Sequence, residues 1–356
     1  MNERIEKFCR RLRLEVPILL APMAGILAPS LSTAIAQAGG LGSCGVLLMT
    51  PEEIARWSAQ IRAAGTDAFA LNNWIPDPPP LRDRQNETRI AAFLGRWGPA
   101  VAPEAADGGK LPDFQSQCEA MLAAQPRAIS SIMGIYPPSF VQEMKKRGIA
   151  WFATATTAAE ARTAEEAGAD VIVAQGMEAG GHRGAFDSAH AETHQVGLFA
   201  LLPAIVDTVR IPVIATGGIA DSRGVAAAFL LGASAVQIGT GFLRCPEAQI
   251  SPAWADGLAR TMPEDTVLTR AFSGRAGRSI LNDYVRATQA SDAPAPAPYP
   301  LQRGLSAAMR REASQKGDIR RMQAWAGQSA RLAPSQPAAA VVSRLWSETR
   351  GLLGWG

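Results

Sequence analysis

Asp170-Val171-Ile172-Val173-Ala174-Gln175-Gly176-Met177-Glu178-Ala179-Gly180-Gly181-His182-Arg183-Gly184 is the stretch that decides how this chain is read. Its apolar, β-branched start shows no polar alternation, as expected of a strand buried on both faces of a parallel sheet. Two adjacent glycines then allow a sharp turn and a close approach of backbone to a ligand. His182, one of only 3 histidines, follows them directly. A histidine aimed from a glycine-lined strand end can meet a substrate and exchange a proton near neutral pH. The competing reading is a structural histidine bonded to a carbonyl.

Working outward, the same strand signal recurs eight times. Short apolar runs ending in Gly or Pro, or rich in β-branched residues, occupy 17–21, 42–46, 68–72, 128–132, 150–154, 171–174, 212–216 and 235–239. Alanine-rich segments such as 157–167 and 222–231 lie between them and suit amphipathic helices packed on a sheet. Eight such units by about residue 243 predict an α/β fold, a (β/α)8 TIM barrel. A doubly wound open sheet is the alternative, but no GxGxxG turn follows the first strand.

Two stretches break the rhythm. Residues 75 to about 120 hold Pro76, Pro78-Pro79-Pro80, Gly108-Gly109 and a helical piece at 89–97, too long for an ordinary βα loop. They are expected to cover the barrel mouth or to join a second domain. The other break begins near 250. The barrel is therefore read as 1–250, and 251–356 as a C-terminal helical segment and a smaller, mainly helical second domain. Within it the proline-rich 293–298 reads as a stiff linker, and 303–331 and 337–353 read as helices.

Composition narrows the function classes. Apolar residues make up 47% and charged ones 19%, which fits a compact globular protein. The net charge of +3 comes from scattered arginines, so nucleic-acid binding is not expected. No window approaches the ~20 apolar residues of a membrane span, and the charged start lacks a signal-peptide core. Four separated cysteines without CxxC spacing read as reduced thiols of a cytoplasmic protein.

Barrel enzymes place chemistry after their strands, often with a phosphate site after the seventh and eighth. Here those strands end Thr216-Gly217-Gly218-Ile219 and Gln237-Ile238-Gly239-Thr240-Gly241. Glycines at both ends expose backbone N–H groups that together form an anion cradle; tight αβ packing is the plainer use for them. Met23, after the first strand, is suited to lie under a planar ring. Asn72 and Gln175 end the third and sixth strands with amides that donate and accept, the partners an isoalloxazine edge needs, or else simply cap loop backbone. His182, His190 and His194 form an H-x7-H-x3-H pattern that a metal could use, but no HExxH motif is present and a solvated loop is the competing reading. No metal is expected. Cys245 after the eighth strand has no histidine nearby in sequence to activate it.

The residues resemble a family, the class I nitronate monooxygenases (2-nitropropane dioxygenases). The resemblance runs through Leu20-Ala21-Pro22-Met23-Ala24-Gly25, Gln175 to Gly184, His194-Gln195-Val196-Gly197-Leu198, Ala215-Thr216-Gly217-Gly218-Ile219, Gln237-Ile238-Gly239-Thr240, Thr269 to Arg275, and Ala324-Trp325-Ala326-Gly327-Gln328. It implies a TIM barrel with one non-covalent FMN held by Met23, Asn72, Gln175, Gly180, Gly217, Gly218, Gln237, Ile238, Gly239 and Thr240. It also implies His182 as the active-site histidine, and a monomer or homodimer that takes a nitronate and O2. The implied reaction is FMN-dependent oxidation of alkyl nitronates to carbonyl compounds and nitrite. The related alternative is an NAD(P)H-dependent FMN reductase of quinones or enoyl thioesters on the same barrel. Family members also use tyrosines and a lysine around the substrate. Tyr299 matches one of those tyrosines, whereas no lysine lies between Lys146 and Lys316.

Overall fold

The computed structural model describes residues 2–109 and 111–355. Eight parallel strands form the central sheet: β1 (Ile18–Leu20), β2 (Gly42–Gly45), β3 (Phe69–Trp74), β4 (Ala128–Ile132), β5 (Ala150–Ala155), β6 (Val171–Gln175), β7 (Val213–Thr216) and β8 (Ala235–Ile238). Their order around the sheet is β1-β8-β7-β6-β5-β4-β3-β2. The ring closes where Leu19 bridges Leu41, with Leu20 N–H donating to the Leu41 carbonyl at 2.9 Å. The architecture is the TIM barrel that the eight runs predict. All eight strands fall on those runs, since strands buried on both faces are predominantly apolar, with polar residues such as Ser43, Asn73 and Ser131 buried among them.

Helices follow the strands with ordinary capping chemistry. Thr157 caps Ala158–Glu166 by accepting from Glu160 N, and Asp221 caps Ser222–Leu230 by accepting from Gly224 N. One large apolar cluster fills the barrel and the layer beneath its helices, with Ile172, Ile214 and Val236 wholly buried. The last helix, Ala338–Leu352, packs its Val341, Val342 and Leu345 into this same cluster. No helix among the described residues is long and apolar enough to cross a membrane.

A second apolar cluster joins the insertion to the chain beyond the barrel. Ile90, Phe93 and Leu94 from helix Arg84–Leu94 meet Phe272, Tyr284, Leu301, Leu305 and Met309. The proline-rich 293–298 is part of this body rather than a free linker. Ala297 is buried there, and the Ala295 carbonyl accepts from Asn86 Nδ2 at 2.9 Å. Prolines lack an N–H, so such a stretch can lie against apolar neighbours with few donors to satisfy. The helix expected over 303–331 is also interrupted. Leu301–Leu305 and Ala307–Lys316 are helical, and Gly317 at φ 63° ends the second by adopting the left-handed region.

A three-stranded antiparallel sheet ties this body to the barrel. Thr266–Thr269 pairs with Gly277–Ile280, which pairs in turn with the two-residue strand Gly181–His182. His182 stands opposite Gly277 in that register.

Candidate active site

The strand ends converge on one cavity of about 940 Å³, within the range of small-molecule and cofactor sites. Met23, Asn72, Gln175, Gly180, His182, Gly217, Gly218, Gln237, Gly239, Thr240 and Tyr299 all line it. Of the residues singled out in the sequence, Ile238 is placed elsewhere: its side chain is buried in the barrel core, as strand alternation requires of the residue after Gln237.

The floor at β7 and β8 is a set of open donors. Among the described residues, the backbone N–H groups of Gly217, Gly218, Gly239 and Thr240 reach no protein acceptor. Gly217 and Gly218 hold φ of 112° and 70°, a backbone that L side chains rarely adopt. Beside them Thr240 Oγ1 accepts from Gly327 N at 3.0 Å, which draws the segment after Trp325 against the cradle. Unpaired convergent N–H groups suit a phosphate.

The amides of the third and sixth strands divide their work. Asn72 Nδ2 donates to Ser130 Oγ at 2.9 Å, while its Oδ1 bonds no protein group among the described residues. Asn73 faces the other way, donating to Gln117 Oε1 at 2.9 Å, and Trp74 returns to the cavity. Gln175 folds its own loop: Nε2 donates to the His182 carbonyl at 3.1 Å, and Oε1 accepts from Gly184 N at 2.8 Å.

His182 sits edge-on between two indoles, 4.6 Å from Trp74 and 4.8 Å from Trp325 between ring centres. Its Nε2 is 2.8 Å from Ser273 Oγ. Burial, and then the charges of Arg275, Arg310 and Arg303, push its pKa down to about 3, so the ring is neutral in ordinary buffers. The imidazolium form is thereby disfavoured, and what remains is a neutral donor–acceptor. His190 and His194 do not join it. They stack on each other 4.6 Å apart on an exposed turn, and no three-ligand metal cluster occurs among the described residues. Cys245 is buried with its thiol pushed up to about 12, the wrong direction for a nucleophile.

Four further wall residues are given no role by the sequence: Trp74, Arg303, Arg310, and Ser273 of the Thr269 to Arg275 landmark. Arg303, in the helix Leu301–Leu305 that follows Tyr299, makes no hydrogen bond or ion pair among the described residues through its guanidinium. Its guanidinium is thus an unpaired cation on the cavity wall. Tyr136 and Tyr284 are buried and donate to the carbonyls of Ser130 and Ala271, leaving Tyr299 as the tyrosine on the cavity wall. Trp325 belongs to the Ala324 to Gln328 landmark.

The nitronate monooxygenase family pattern matches residues 7–348. This chain belongs to the nitronate monooxygenase family. The nitronate monooxygenase of Paraburkholderia phytofirmans is 37% identical over 95% of this chain and 93% of its own. A probable nitronate monooxygenase of Staphylococcus aureus is 34% identical over 98% of each chain. Among solved structures, nitroalkane oxidase from Streptomyces ansochromogenes superposes with TM-score 0.85 and 31% identity, over 96% of this chain and 97% of its own. FabK from Thermotoga maritima gives 0.75 and 28%, over 98% and 97%. Membership in the nitronate monooxygenase family makes the protein an oxidoreductase and the cavity its candidate active site.

Proposed function

We propose that the protein oxidises alkyl nitronates with O2 to carbonyl compounds and nitrite, using FMN. The observation that carries this reading is the pairing of a neutral His182 with two guanidiniums, Arg303 and Arg310, that have no carboxylate partner and line the same cavity. A nitronate is an anion whose neutral parent must lose a carbon-bound proton, and these groups answer both needs.

The residues fit FMN. Gly217, Gly218, Gly239 and Thr240 offer four unpaired N–H groups for its phosphate. Met23 and Ala24 offer an apolar seat, and Asn72 Oδ1 an unengaged acceptor for a ring N–H. Gly180 lets the segment at Gly327 pack close beside the cradle, since a Cβ there would lie 2.5 Å from Gly327 N. Bound there, FMN supplies the electron transfer between nitronate and O2.

The protein's own residues do the rest. Arg303 and Arg310 complement the negative nitro oxygens. Ser273 Oγ also lies 3.1 Å from the Arg275 carbonyl; donating its one hydrogen there, it would accept the proton on His182 Nε2. That leaves Nδ1 with its lone pair facing a neutral nitroalkane; its base strength, held down by burial and the three arginines, rises as negative charge develops on the nitro oxygens beside them. Trp74 and Trp325 flank the ring edge-on and narrow its access to water.

Oxygen consumption by the yellow holoenzyme with propionate 3-nitronate, without NADH, tests the reading. Rapid uptake with nitrite release is the expected result. No uptake, together with fast anaerobic bleaching by NADH, would replace it with reduction of a quinone or an enoyl thioester.

A further inference from the structure

One wall of the cavity is one side of the consecutive helices Leu301–Leu305 and Ala307–Lys316. Arg303, Ala307, Arg310, Arg311 and Ser314 all line it, at the spacing that places residues on one side of a helical stretch. They are graded by depth: Arg303 and Arg310 are half-buried, and Arg311 and Ser314 are exposed. The face therefore runs from solvent to the neighbourhood of His182.

Its charge is uncompensated. Other arginines of this body have acids: Arg275 has Asp77, Arg321 has Glu312 and Asp318, and Arg270 has Glu192. Arg303, Arg310 and Arg311 have none among the described residues. Arg310 donates only to neutral acceptors, Ser306 Oγ, Gln323 Oε1 and the Arg303 carbonyl, each at 2.9 Å. Burial first, and then repulsion from Arg303 and Arg311, bring its pKa down to about 10, so the cations feel one another. Like charges held together without an anion work against folding. Ala307, between them on the same wall, adds no charge of its own.

We infer that the Arg303–Arg310–Arg311 face is an access ramp that draws anionic substrates from solvent to His182 and ranks them by charge. Clefts lined by one sign of charge raise the local concentration and on-rate of the opposite sign. The inference rests on the nitronate reading for the reacting group alone; the ramp would serve any anionic substrate of this cavity.

The test is kcat/KM of the holoenzyme for propionate 3-nitronate (a dianion), ethyl nitronate (a monoanion) and neutral nitroethane. Sodium chloride is raised so that the screening length falls from about 30 Å to about 8 Å. The expected result is a roughly 5-fold fall for the dianion, a shallower one for the monoanion and none for nitroethane. Arg311→Gln and Ser314→Glu should each flatten the dianion's dependence and lower its low-salt kcat/KM ~3-fold, with kcat unchanged. A salt-independent dianion, or an Arg311→Gln enzyme with the wild-type slope, overturns the ramp. Calorimetric titration with unreactive succinate and neutral succinamide separates the two readings. If no nitronate is oxidised but succinate binds and Arg303→Gln abolishes that binding, the reaction is wrong and the ramp stands. If nitronates are oxidised with no preference for charge, the ramp falls alone.

Discussion

Ser273 Oγ lies 2.8 Å from His182 Nε2 and 3.1 Å from the Arg275 carbonyl that takes its own proton. A hydroxyl has one hydrogen, so a serine that donates to a carbonyl must accept from the histidine. In that arrangement the imidazole proton sits on Nε2 and Nδ1 keeps its lone pair. Ser273→Ala should leave FMN bound and lower kcat roughly 10- to 100-fold on neutral nitroalkanes, with a smaller effect on preformed nitronates. Steady-state rates on both substrate forms check this; equal losses on the two would remove the tautomer argument.

His182→Asn should abolish most turnover of neutral nitroalkanes, by ~10²- to 10⁴-fold, while flavin absorbance is retained. Full activity in that variant would take His182 out of the chemistry.

The depressed pKa of His182 also makes stability depend on pH. The unfolded histidine takes a proton near pH 6.5, whereas the folded one resists until about 3. Between those values the unfolded state binds more protons, so this contribution is complete above about 6.5 and is lost as pH falls toward 3. Thermal unfolding of the flavin-free protein at several pH values should show a steeper acid loss for wild type than for His182→Asn. Parallel curves would mean the ring is solvated.

Gly180→Ala places a methyl 2.5 Å from Gly327 N and 2.8 Å from Thr240 Oγ1. Neither neighbour is the far end of a flexible side chain, so the segment after Trp325 must shift away from the cradle. The expected cost is roughly 1–3 kcal/mol, with FMN bound more weakly. Denaturant melts and flavin fluorescence titration read the two effects separately.

Asp77 holds Arg275 from the insertion, and Arg275 is almost wholly buried. Asp77→Asn leaves that guanidinium without its counter-charge and should destabilise by roughly 2 kcal/mol, less than a fully buried pair because Asp77 is partly exposed. Limited proteolysis near Pro78-Pro79-Pro80 should quicken if this pair pins the insertion.

The barrel was legible because its cause is local. A strand covered on both faces is mostly apolar along its length, and most of the eight runs carry that requirement in their own residues. Glycines at the ends of β7 and β8 were legible for the same reason: an open N–H cradle needs backbone that side chains would obstruct. Gln175 was found but understood in part, since its amide spends itself on the turn that carries His182. The doublet Asn72-Asn73 resolves only in three dimensions, with one amide facing the cavity and the other Gln117.

By itself, then, the sequence determined the barrel, the glycine floor and the presence of a histidine at a strand end. All of these follow from backbone conformation and burial within a few residues. The tertiary structure alone decided what that histidine is. Its strand partner Gly277, its hydroxyl partner Ser273, its indole walls Trp74 and Trp325, and the unpaired Arg303 come from segments far apart in the chain. Protonation state and field are sums over neighbours in space, and no local pattern records who those neighbours will be.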